Sequence, residues 1–102
     1  MTVSFVVSLD VGTRGTLERI IDKTINHIPH QVRLFRLKKT KLQIKDENEF
    51  VYGLAFGDIY GTFLLYFASI MERQPTDNEL DEMIDIIDRR AREIRDAIFK
   101  AG

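Results

Sequence analysis

The chain has no cysteine, no tryptophan and only two prolines, Pro29 and Pro75, among its 102 residues. Without cysteine, disulfides, thiol nucleophiles and zinc sites built on thiolates are excluded, and a cytoplasmic protein is expected. An excess of either charge is lacking too. Fifteen Lys and Arg against sixteen Asp and Glu leave a formal charge of −1, so no overall field draws the chain to nucleic acid or to an acidic membrane. The opening MTVSFVVSLDVGTRG has no basic n-region, and its apolar run is too short and too alternating for a signal peptide. The length predicts a single domain, residues 1–102, with no visible repeat or linker.

What is abundant is concentrated in one stretch, Phe50 to Ile70, which holds seven of the ten aromatic residues and a single charge, Asp58. Three structures compete for it. A membrane span has the right length, with Gly53, Gly57 and Gly61 recurring every four residues, but Asp58 falls near its middle, where lipid tolerates charge poorly. A buried soluble helix would carry three interior glycines, each costing about 0.5–1 kcal/mol, together with residues that prefer strands. A β-hairpin turning at Gly57-Asp58 puts Phe50, Tyr52, Leu54 and Phe56 on one bulky face and Val51, Gly53 and Ala55 on a smooth one. The hairpin is the reading preferred, and no membrane is expected.

Ahead of it, Val3 to Leu9 reads as a short buried strand. Thr13 or Thr16 can cap a helix carrying Leu17, Ile20, Ile21, Ile25 and Ile28 on one face, which Pro29 should end. Residues 31–45 hold six cations (Arg33, Arg36, Lys38, Lys39, Lys41, Lys45) and no acid, and Lys41 to Lys45 alternates as a strand with one wet face does. Asp46 to Glu49 reads as a polar turn. After Pro75, Thr76-Asp77-Asn78-Glu79 is a capping box opening a helix to about Lys100, striped with Leu80, Met83, Ile84, Ile87, Ile94 and Ile98. Asp85 with Arg89, Asp88 with Arg92 and Asp96 with Lys100 are spaced to pair along it.

Asp10-Val11-Gly12-Thr13-Arg14-Gly15 resembles the first phosphate loop of the sugar kinase, Hsp70 and actin superfamily, in which an aspartate and a Gly-Thr pair follow a strand. That resemblance implies an anion site at Gly12, Thr13 and Gly15. It covers six residues, and the superfamily needs two large domains. The β-α opening is also similar to small ligand-sensing ACT domains, which end on a further strand absent here. His27 and His30 flank Ile28-Pro29 and supply two ligands at most, so no metal is expected. No cofactor motif is present.

The basic segment is the strongest functional signal. Arg33, Arg36, Lys38, Lys39 and Lys41 could follow phosphates while Phe35 stacks on a base, or they could meet an acidic protein. Residues 72–88 hold seven acids and one arginine, so internal pairing with the basic strand is the simpler expectation. Together these readings predict an α+β two-layer sandwich, β-α-β-β-β-α, with a four-stranded mixed sheet and both helices on one face. The expected function is a small non-enzymatic binding or assembly module, with a homodimer contact through residues 80–99 of the last helix. The alternatives are an RNA-binding domain using residues 31–45 and, further off, an enzyme acting on a phosphorylated small molecule at Gly12 to Gly15.

Overall fold

A computed structural model of the chain describes residues 8–102, and there it is helical, with no strand among the described residues. The expected sandwich is therefore overturned. Helix α1 spans Val11–Leu37, α2 Glu47–Met71, α3 Asp77–Arg89 and α4 Ala91–Ala101. The first expected strand, Val3 to Leu9, lies mostly outside the described residues.

Side-chain pairs fix the topology. Thr16 meets Tyr66, Thr24 meets Asp58, and Phe35 lies 5.2 Å from Phe50 between ring centroids, so α1 and α2 are antiparallel. Arg14 lies against Glu82, Arg90 against Glu18 and Asp22, so α3 and α4 run alongside α1 in its own direction. The result is an up-down-up bundle of three rods, about 59 Å along its longest axis, the third rod being α3 and α4 end to end.

The hairpin expected at residues 50–70 is a continuous helix because one stripe of it is buried completely. Val51, Ala55, Ile59, Phe63 and Phe67 recur every four residues and all lie in the core. Four large side chains at about 1.5–3 kcal/mol each outweigh three mid-helix glycines at about 0.5–1 kcal/mol each. Gly57-Asp58 is therefore mid-helix and makes no turn. The stripe packs against Leu17, Ile21, Ile28 and Val32 of α1 and Met83, Ile87, Ile94 and Ile98 of the third rod.

The basic strand is overturned in the same way. Residues 31–37 finish α1, and 38–43 turn so that Ile44 tucks between α1 and α2 while Leu42 stays in solvent. Val32 and Phe35, out of phase for a strand, are one helical turn apart. Pro29 does not stop the helix either. It forgoes one backbone bond at a cost of about 3 kcal/mol, and buried Ile28 and Val32 on either side of it offset that. Asp10 caps α1 in place of Thr13 or Thr16, accepting from the Thr13 amide at 2.7 Å. Asp46, expected in a turn, caps α2 by accepting from the Glu49 amide.

Two polar knots hold the third rod. At its start the expected capping box is present: Glu79 Nα–H donates to the Thr76 hydroxyl at 3.2 Å, and the Thr76 amide donates to Glu79 Oε1 at 2.9 Å. Arg73 adds a two-pronged bond to Glu79 at 2.7 and 3.1 Å and lays its guanidinium over the Phe67 ring. At the break between α3 and α4, Arg90 reaches Glu93, Asp22 and both the side chain and carbonyl of Glu18. The expected pairs Asp85–Arg89, Asp88–Arg92 and Asp96–Lys100 are not among the ion pairs formed by the described residues. Ile86 is buried and Ile84 is exposed, the reverse of the expected stripe.

Glu79 is 2 % exposed, and its carboxyl is held below the usual carboxylate range, first by the hydrogen bonds from Arg73, against the opposing effect of burial. A carboxylate lowered by folding adds stability that is complete above its unfolded-state value near 4.5 and is lost as pH falls through the folded value. Glu79→Gln should therefore cost about 2 kcal/mol at pH 7. It should also flatten the loss of stability below about pH 4.5. Chemical denaturation across pH 3–7 measures both effects.

Arg90→Ala should cost about 1–2 kcal/mol, because its partners are partly exposed and water replaces some of what is lost. The same denaturation series reads the cost, and Arg90→Lys should recover only part of it, since an ammonium cannot fork across α1 and α4.

Candidate functional site

The buried stripe of α2 has a mirror on the opposite side of the same helix. Gly53, Gly57, Gly61, Leu65 and Ser69 also recur every four residues, two positions after the buried ones, which at 100° per residue places them nearly opposite. Leu65 is 77 % exposed, and a Cβ added at Gly53, Gly57 or Gly61 would meet nothing within 4 Å. Phe56, Tyr60 and Leu64 form one half-buried wall of this shallow trough, and Leu54, Asp58 and Thr62 form the other. Only 22 % of the most apolar 18-residue window of α2 is buried. By length and composition α2 is the one described helix that could cross a bilayer.

Asp58 gives the trough its single charge, and beside it Ile20, Lys23, Thr24, His27 and Thr62 border an open depression. Thr24 Oγ1 donates to Asp58 at 3.5 Å, a long bond. No group of three or more metal-ligating side chains forms among the described residues, and the His27 and His30 rings lie tilted against each other with centroids 5.3 Å apart.

The residues singled out in the basic segment gather at one end of the bundle. Arg33 and Arg36 lie on the last turns of α1, and Lys38, Lys39 and Lys41 lie on the exposed link beyond it. Arg36 approaches Glu47 at 3.9 Å; Arg33, Lys38, Lys39, Lys41 and Lys45 have no ion-pair partner among the described residues. Phe35 is half-buried, its ring tilted against Phe50 in a small cleft with Val32 and Ile44.

Gly12, Thr13 and Gly15 form the first turn of α1. The amide of buried Thr13 is already bonded to Asp10, whose carboxyl is lowered chiefly by that backbone bond, and the capping carboxylate thus sits where an anion would. The acidic residues 72–88 lie at the other end of the rod from the cations. Asp77, Asp81, Asp85 and Asp88 have no ion-pair partner among the described residues, and the internal pairing of basic segment with acidic helix does not form. At roughly 1.5 Å per residue the two charge clusters are separated by about 30 Å, several Debye lengths at physiological salt.

Of the predicted features, the cations come together and the anion loop is satisfied internally. The exposed trough on α2 is signalled in the sequence by the four-residue glycine spacing, which there supports a membrane span and weighs against a soluble helix. No family model, curated protein or solved structure compared with the chain matches it.

If the three glycines serve packing by a partner and nothing in the fold, replacing them should strengthen the free protein. Each of Gly53→Ala, Gly57→Ala and Gly61→Ala should raise unfolding free energy by about 0.5–1 kcal/mol, measured by urea denaturation of dilute protein.

Proposed function

We propose that this protein is a small non-enzymatic assembly module that receives another helical surface on the outer face of α2. The observation that supports it most is the apolar trough over Gly53, Gly57 and Gly61. A helix whose free face is lined by glycine, leucine and aromatic side chains leaves a large apolar area in water, and small residues let a second helix approach below the usual 8–10 Å between axes. The bilayer reading is weaker on two grounds. Asp58 would lie at mid-span, and inserting α2 would strip its opposite stripe from α1 and α4. Nucleic-acid binding keeps its cations at the basic end, where Phe99 is exposed, but the ring it was expected to use, Phe35, is half-buried against Phe50.

A photo-crosslinking residue at Leu65 should trap a discrete protein in cells, and Gly57→Leu should abolish trapping while leaving the fold intact. The same group at Leu37, also exposed and at the basic end, should not trap it. Trapping at Leu37 alone, or RNA retention that falls with salt and with charge reversal of Lys38, Lys39 and Lys41, would favour the basic end instead.

A further inference from the structure

The trough says that α2 receives a helix; the charges at its two ends indicate which one. We infer that the partner is a second copy of this chain, docked antiparallel, α2 against α2, about a two-fold axis near Gly61. This rests on the reading of the outer face of α2 as the docking surface. In a two-fold pair the same patch serves both subunits, so it must be complementary to itself when reversed.

This rod meets that condition along its whole length. One end carries Arg33, Lys38, Lys39, Lys41 and Lys45 without ion-pair partners among the described residues, and the other carries Asp77, Asp81, Asp85 and Asp88 in the same condition. Reversal brings each cationic end to the acidic end of its neighbour, whereas a parallel pair would set like charges side by side. The centre agrees. The central part of the stripe, Gly57 to Leu65, is symmetric in position about Gly61 and drifts only about 40° to either side of it, so Gly57 would lie over Leu65 and Gly61 over Gly61 across about 12 Å of helix. Antiparallel α2 helices also align their dipoles favourably. With a net charge of −1 the copies do not repel as wholes.

The absence of native cysteine makes orientation directly measurable. In the antiparallel pair, mixed Gly57→Cys and Leu65→Cys chains should form a disulfide heterodimer under mild oxidation, while neither variant cross-links with itself. Self-linking of each variant would show a parallel pair and overturn the proposal. Light scattering over a concentration series should show a dimer for the native chain and a monomer for Gly57→Leu. A dimer that survives Gly57→Leu would place the contact elsewhere, such as residues 80–99, and overturn it too. Lys38→Glu/Lys39→Glu/Lys41→Glu and Asp81→Lys/Asp85→Lys should each weaken self-association at least tenfold, and mixing the two should restore a dimer; no restoration counts against charge-directed pairing. If the native chain stays monomeric at millimolar concentration while Leu65 still traps another protein, self-pairing is wrong and the docking face stands. If Leu65 traps nothing, and the chain floats with neutral lipid vesicles, both fail in favour of a bilayer.

Discussion

The bundle depends on one run of contacts, the four-residue stripe of α2 wedged between α1 and α4. Val51, Ala55, Ile59, Phe63 and Phe67 are all but removed from solvent, and every other element is arranged to cover them. Because an α-helix turns in 3.6 residues, a stripe spaced by four drifts about 40° around the axis at each step. It therefore cannot be sealed by one straight neighbour. Two rods are needed, and the chain supplies α1 on one flank and the α3–α4 rod on the other. The drift also has a counterpart outside: the glycine stripe winds in parallel with the buried one and stays opposite it from end to end.

That spacing explains why the sequence misleads. Positions four apart are all of the same parity, so Val51, Gly53 and Ala55 look like one face of a strand, although in the helix Gly53 lies opposite the other two. Aromatic and β-branched side chains strengthen the strand impression, and Gly57-Asp58 completes it with a plausible turn. Burial then overrides these local preferences. Where the local signal had no rival the sequence was legible: Thr76 and Glu79 form the capping box, and Leu17, Ile21 and Ile28 face the core as their spacing requires. Pro29 and the link at residues 38–46 were not, because whether a helix runs on past proline depends on what the next turn buries. The basic cluster was legible as a cluster, but its distance from the acids depends on a topology that pairwise charge arithmetic does not contain.

The two ends of the rod differ in more than sign. The acidic end is tied internally, with Arg73 bridging Phe67 and Glu79 across the α2–α3 turn and Glu82 taking the Leu9 amide and facing Arg14. The basic end is looser, its lysines on an exposed link anchored by Ile44 and by the Phe35–Phe50 contact. Across the middle, Arg90 joins α1 to α4, and Arg95 lies 3.8 Å from the Tyr52 ring centroid, joining α4 to α2. Where the third rod meets α1 and α2, an arginine thus lies over apolar packing, which sets the rotation of that rod against its neighbours more sharply than aliphatic contacts alone.

Gly53, Gly57 and Gly61 are positions where folding and association make opposite demands on the same atoms. In the isolated chain a methyl group there meets open space and stiffens the helix. A library screened only for thermal tolerance would fill these three positions first, and the sturdiest survivors would be the ones that had lost the groove. The same library screened for assembly would leave them bare. Comparing the two selections would map the docking surface residue by residue without the partner having been identified.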